Sequence, residues 1–287
     1  MKKLYLAAIA ASLMLSSCSK VFYQVYNTEA PGMIEQGSSL VYENEDCKIM
    51  YNLWSEDGNA GFVMQNKTEN DLFLILSQTF FIKNGTAFDY FKNREYSNTE
   101  TVGATSSVAV SGTAYGLTNI WGLWYNASKA ATVGTTKNKG YSSTVTTKEA
   151  PVVCIPAYSS KFIKEYSISD RLIKNCNKSQ AYPKKKSTPV AFTKEDTPLA
   201  FKNRISYSLY ENGDNLKQIE NEFWVSEVIN YTEKEALEKK EYKECEGDYA
   251  EIIYVFKMAS PKKFYNSFKG TSKGGKNNGK NSIVQWN

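Results

Sequence analysis

The chain contains no histidine. That absence excludes a Ser-His-Asp triad, a Cys-His dyad and every His-ligated zinc or iron site. The usual proton shuttle near neutral pH is missing with it. Nor is there a concentrated basic stretch over a folded region. Thirty-five Lys and Arg stand against 30 Asp and Glu, so the formal charge is only +5, and nucleic acid is not an expected partner. No convincing catalytic, cofactor or metal motif emerges, and a non-enzymatic protein is expected.

What is present begins at the N-terminus. Lys2 and Lys3 form a short basic start, and Leu4–Leu15 is an apolar run too short to span a bilayer. Leu15-Ser16-Ser17-Cys18 follows, with two small residues before a cysteine. Residues 1–17 therefore read as a cleaved export signal. The tetrad resembles the lipobox of bacterial lipoproteins. The resemblance implies cleavage before Cys18, acylation of that cysteine (palmitate included), and a mature protein held on a membrane by its first residue. Loss of Lys2 and Lys3 lowers the formal charge from +5 to +3.

Four cysteines remain: Cys47, Cys154, Cys176 and Cys245. An even number in an oxidising compartment allows two disulfides, in any of three pairings. The alternative is free buried thiols, for which Cys154 in the apolar run Val152–Ile155 is the natural candidate.

The body reads as antiparallel β. Aromatics are abundant, with 20 Tyr and 14 Phe, and these favour sheet. Strands are expected at Val21–Tyr26, Cys47–Trp54, Gly61–Gln65, Leu72–Ile82, Thr86–Phe91, Pro151–Ile155, Lys161–Ile168, Phe201–Tyr210, Glu222–Asn230 and Ala250–Lys257. Asp57-Gly58, Asn84-Gly85 and Asn212-Gly213 supply the positive φ that tight turns need. Phe223, Val225, Glu227 and Ile229 form one largely apolar face, while Trp54 and Trp224 are expected in the core. Thr232 and Glu235 fit a capping box, so one short connector helix should start there. A single all-β domain over 18–268 is expected, an antiparallel β-sandwich with an open barrel as the alternative. Residues 97–149 form a long Ser/Thr/Gly-rich insertion. Residues 269–287 form a Lys/Gly/Asn-rich flexible tail.

Four blocks carry a wider likeness: Phe22–Glu29, Met64–Ser97, Cys154–Ile168 and Asn221–Tyr231. Together they resemble a family of uncharacterised lipoproteins of the Bacteroidota type. The resemblance implies a compact β domain and supplies no activity. Surface-exported members carry an acidic stretch after the cysteine; Ser19-Lys20-Val21 departs from that and favours the periplasmic side of the outer membrane.

Other motifs are weaker. Gly270–Lys276 lacks the hydroxyl residue that a phosphate loop needs for Mg²⁺, since Asn277 stands there. Ser260-Pro261-Lys262-Lys263 spells the Ser-x-x-Lys of serine acylases without its partner motifs. Asn66-Lys67-Thr68 has the form of a glycosylation sequon but marks a polar turn. Glu43, Glu45 and Asp46, with Glu56 and Asp57, could serve a carboxylate-dependent glycoside hydrolase or hold Ca²⁺, yet both groups flank turns. Tyr115, Trp121, Trp124 and Tyr125 lie in a Ser/Thr/Gly-rich setting. Exposed, they would give a contact surface for an envelope protein or a stacking platform for a glycan; otherwise Tyr115–Tyr125 is another strand or a flap covering the core. The expected function is thus a lipid-anchored envelope protein that binds a partner or serves structure. A carbohydrate-binding lipoprotein and a glycoside hydrolase are the alternatives.

Overall fold

The structure is a computed structural model, and it describes residues 20–101, 142–174, 188–243, 251–270 and 284–285. The chain enters in β1 (Lys20–Glu29), then runs through β2 (Ile34–Gln36), β3 (Ser39–Glu43), β4 (Cys47–Tyr51) and β5 (Phe62–Asn66). Next come β6 (Leu72–Ile75), a 3-10 turn at Leu76–Gln78, β7 (Phe80–Lys83), β8 (Thr86–Asp89) and β9 (Glu95–Thr101). Beyond residues 102–141 lie β10 (Ser142–Lys148), β11 (Val152–Ile155), β12 (Ser160–Ile163), β13 (Ile173–Lys174), β14 (Val190–Ala191), β15 (Ala200–Ser208) and β16 (Lys217–Thr232). The helix α1 (Glu233–Ala236) leads to β17 (Leu237–Tyr242), β18 (Glu251–Phe256), β19 (Lys263–Gly270) and β20 (Val284–Gln285).

The fold is all-β, as its sequence predicts. A nine-stranded antiparallel sheet is built on the order β11-β6-β15-β16-β1-β19, and it curls like half a barrel. A five-stranded antiparallel sheet runs β12-β5-β4-β3-β2. One core unites the two. Ile49, Tyr51, Phe62 and Met64 of the smaller sheet meet Leu74, Phe201, Ile205, Phe223 and Val225 of the larger. Rings dominate it: Phe201 stacks on Phe223 at 4.9 Å, and Tyr51 meets Phe223 edge-on at 5.1 Å.

Turn chemistry explains part of the topology. Asn84 and Gly85, at φ 46° and 81°, close the two-residue hairpin between β7 and β8. Asp57 and Gly58 also have positive φ, but they sit inside the ten-residue excursion 52–61 rather than in a hairpin. Gly58 is required there for a second reason: a Cβ would meet the Ile168 side chain at 2.7 Å. The expected strand Leu72–Ile82 is broken by the 3-10 turn, and β6 and β7 pair with different parts of β15.

Two other expectations shift. β16 starts earlier than expected and alternates from Ile219 through the expected Phe223 and Val225, then its buried positions become Val228, Ile229 and Asn230. A bulge where β1 passes from Asn27 to Thr28 resets the register and carries Glu227 off the core face. Thr232 and Glu235 do form the capping box. The helix stops at Ala236, because pairing with β18 takes Leu237–Lys239 into β17. Trp54 and Trp224 are half-buried rather than core. Trp54 lies in the excursion, packed on Phe256 and Tyr265; Trp224 alternates to the outer face, under the Lys194 ammonium.

The ends of the Ser/Thr/Gly-rich insertion pair with each other. β9 and β10 form an antiparallel ribbon, Glu95 opposite Lys148 and Thr101 opposite Ser142. Its Thr residues are good strand formers, which low-complexity composition conceals. In the tail, Lys269 and Gly270 belong to β19, and Val284–Gln285 pair with β13.

Candidate functional site

β16 serves as a ruler. Its 16 residues span about 50 Å. Phe22 of β1 lies opposite Thr232 at one end, and Tyr207 of β15 lies opposite Lys217 at the other. Four connections gather at the Lys217 end: β3 to β4, β5 to β6, β11 to β12 and β15 to β16.

Side chains stitch these connections together. The Asn44 side-chain oxygen accepts from the backbone N–H groups of Asp46 and Cys47 and so shapes the first turn. The Asp46 carboxylate accepts from the Tyr207 hydroxyl at 2.8 Å and pairs with the Lys217 ammonium at 2.6 Å. Burial pushes the Asp46 carboxyl up, but Lys217 and Tyr207 outweigh it and hold the group below its usual range. Burial beside Asp46 pushes the Tyr207 phenol well above its ordinary value. Lys67 donates to the Asn44 carbonyl and pairs with Glu43. Asn66, fully buried, donates to the carbonyls of Asn70, Ile155 and Pro156 and accepts from the Thr68 N–H. This is the polar turn expected of the Asn66-Lys67-Thr68 triplet.

The stitched loops present two tyrosines. Tyr158 is 69% exposed and Tyr210 54%. Tyr158 has φ 54°, a left-handed conformation uncommon for a bulky residue. Neither was singled out by the sequence. The only signals were the Pro156 turn between two strands and the Asn212-Gly213 pair.

Neither described cysteine is activated. Cys47 is fully buried and free, and burial followed by the Asp46 charge pushes its thiol up to about 12. Cys154 is free and exposed, on the outer face of the edge strand β11, so the buried thiol is Cys47 instead. Burial and the nearby Asp71 also raise the Cys154 thiol. A thiolate nucleophile at neutral pH is disfavoured at both. Cys18, Cys176 and Cys245 lie outside the described residues, as do Tyr115, Trp121, Trp124 and Tyr125.

The carboxylate groups separate. Asp46 is bound at Lys217, whereas the Asp57 N–H donates to the carbonyl of Tyr265, which lies opposite Val25 and, through it, level with Ile229. Lys217 and Ile229 are twelve residues apart on β16, or about 40 Å. A glycosidase pair needs about 5–10 Å, so these two groups cannot act together. Among the described residues no three acidic or cysteine side chains cluster as a metal site. Ser260 lies in the turn before β19 and Lys263 opens the strand, so the two are not one turn apart on a helix.

Asp57 instead holds a strap. Asn266 donates to its carboxylate at 2.6 Å and to the Ser169 carbonyl at 2.9 Å, and the Ser169 N–H donates to the Asp57 carbonyl. Gln24 fixes the same strap at Ile173, accepting its N–H at 2.7 Å and donating to its carbonyl at 3.0 Å. Burial, then Glu56 and Asp170, raise the Asp57 carboxyl above its usual value. The folded state thus holds the proton more tightly than the unfolded one. Asp57 costs nothing below the unfolded value near 3.8, and its penalty grows as pH rises through the folded value. Asp57→Asn keeps the acceptor oxygen and tolerates positive φ. It should raise stability at pH 7 by at most about 1 kcal/mol for a partly screened charge, and the melting temperature with it. The gain should shrink as the melt is repeated down to pH 3.5; a gain that persists there would disprove the assignment.

A second polar cluster lies at the root of the β9–β10 ribbon. Arg94 pairs with Glu149 at 2.8 Å and Glu165 at 2.9 Å, and the Glu149 carboxylate also accepts the backbone N–H groups of Lys92 and Arg94. Lys92 adds an ion pair to Glu165 and lies over the Tyr166 ring. Nothing in the sequence marked Arg94.

The described residues thus present two exposed tyrosines on hydrogen-bonded loops and a ribbon clamped at its root. Compared with known proteins, the chain matches no family model, no curated protein and no solved structure.

Proposed function

We propose that this chain is a lipid-anchored envelope protein with a non-enzymatic binding or structural role, resident on the periplasmic face of the outer membrane. Its main support is the start of β1 at Lys20, as an interior strand between β16 and β19. With Cys18 acylated, two residues separate lipid from sheet, a reach of about 7 Å. Such a tether holds one end of the sandwich against the bilayer. The loop end with Tyr158 and Tyr210 lies about 50 Å further along β16. Residues 115–125, carried beyond the β9–β10 ribbon, are the second contact surface in this reading. Among the described residues no helix is long and apolar enough to cross a membrane, so the reading places attachment on the lipid.

A carbohydrate ligand is the second reading, favoured by the exposure of Tyr158 and Tyr210, whose faces suit sugar rings.

Cell fractionation tests the proposal. The full chain should sediment entirely with membranes and carry the mass of its acyl chains, and Cys18→Ser should move it to the soluble fraction. Several chains anchor stably where one does not, so release should be nearly complete. A soluble wild-type protein with an unmodified terminus would overturn the anchor. Pulldown from solubilised envelope then tests the contact surface: partners unchanged by deletion of 115–125 would remove that segment from it.

A further inference from the structure

The ribbon of β17 and β18 pairs with no other strand among the described residues. Leu237 lies opposite Phe256, Lys239 opposite Tyr254, and Glu241 opposite Ile252, so these six share one face. At the root, Phe256 packs on Tyr23, Trp54 and Tyr265. Further out the same face loses its cover: Tyr254 is 62% exposed and Ile252 64%. The Lys239 ammonium lies 5.6 Å from the Tyr254 ring. An apolar stripe therefore starts in the body and continues into solvent.

The position of the root is informative. β16 ends at Thr232, opposite Phe22 near the start of β1, and α1 packs against β1 before the ribbon begins. Phe256 meets Tyr23, three residues from Lys20. The stripe thus leaves the body at the end where the chain emerges toward Cys18, and far from Tyr158 and Tyr210.

We propose that this ribbon is a bilayer-contact finger, laying Ile252 and Tyr254 into the headgroup layer beside the acylated terminus. The proposal rests on the anchoring reading above. Tyrosine and isoleucine with a lysine that can extend to the headgroups are the side chains such a boundary takes. The charges facing the stripe are Lys239 and Glu241, and behind it Lys240 pairs with Glu238. With Glu251 also on the back face, the two strands carry one net negative charge, so contact with an anionic bilayer rests on the apolar stripe rather than on attraction between charges. A lipid on a two-residue tether fixes where the protein is but not its tilt. A second contact beside the lipid fixes the tilt and points the loop end outward.

Hydroxyl-radical footprinting of the full acylated chain on phosphatidylethanolamine–phosphatidylglycerol vesicles tests this, with the unacylated Cys18→Ser protein in solution as reference. Oxidation of Tyr254 should fall about five-fold on vesicles, as burial in the headgroup layer demands. Tyr158, at the other end, should react equally in both. Confirmed acyl mass with an unprotected Tyr254 would overturn the finger and leave the anchor standing. Protection of Tyr158 instead would overturn it by inverting the orientation. Protection of Tyr254 in the Cys18→Ser protein as concentration rises would assign the stripe to a second copy. An unmodified terminus would remove the anchor and the finger together.

Discussion

Phe223→Ala should cost about 4–5 kcal/mol, a large share of the roughly 5–15 kcal/mol by which domains are stable. Phe223 is fully buried at the centre of β16. It faces Phe201 across the strand pair, the rings 4.9 Å apart and 10° from parallel. Tyr51 approaches from the other sheet, edge-on, at 5.1 Å. Truncating a buried phenylalanine costs about 3–5 kcal/mol in lost transfer energy and residual cavity. Each ring pair adds about 0.5–1.5 kcal/mol beyond area. Tyr51 also donates to Asn221 at 2.8 Å, so its displacement would disturb a buried hydrogen bond. Denaturant titration should show the midpoint falling with an unchanged slope. Phe223→Leu, which keeps most of the volume, should lose only about 1.5 kcal/mol. A cost below about 2 kcal/mol for the alanine variant would mean the two sheets close over the gap, against the rigid packing expected of such cores.

Asn66→Asp should destabilise more than Asn66→Ala, although it is the closer isostere. The Asn66 amide nitrogen donates to three carbonyls, at 2.7, 3.0 and 3.2 Å, from a fully buried position. Alanine leaves those oxygens without their donor, at about 2–4 kcal/mol in total, since Asn70 and Pro156 lie near solvent and can hydrate. Aspartate places an anionic oxygen against all three, and burial adds desolvation. The aspartate penalty should ease on acidification, because the protonated acid can donate one hydrogen bond again. Thermal melts at pH 7 and pH 4 would separate the two. An aspartate variant as stable as alanine at both would show that water reaches the site.

The all-β class was legible because alternation and turn chemistry agree. Asn84-Gly85 predicts a hairpin and makes one: β7 gives one edge to β8 and the other to β15, so the local turn and the sheet agree. Asp57-Gly58 carries the same signal and makes none. There the positive φ serves a loop pressed against Ile168, a contact 110 residues distant in sequence. β16 fails at Glu227 for a similar reason: a bulge is decided by the register with β1, and a single strand does not encode it. The capping box at Thr232 was fully local and fully legible. The loop-end site was not. Asp46, Tyr207 and Lys217 converge from separate strands, and only pairing brings them together. Tyr158 has no pattern at all; its exposure follows from a turn whose ends are fixed by Asn66 and Asp71.

The Arg94 pincer has an evolutionary corollary. Its partners Glu149 and Glu165 tie the root of the β9–β10 ribbon to the chain that leads back into the sandwich. The entropic penalty of such a closed loop grows only with the logarithm of its length. Doubling the number of residues between Thr101 and Ser142 should therefore raise that penalty by only about 0.6 kcal/mol. Insertions and deletions should meet little entropic resistance at that point of the chain.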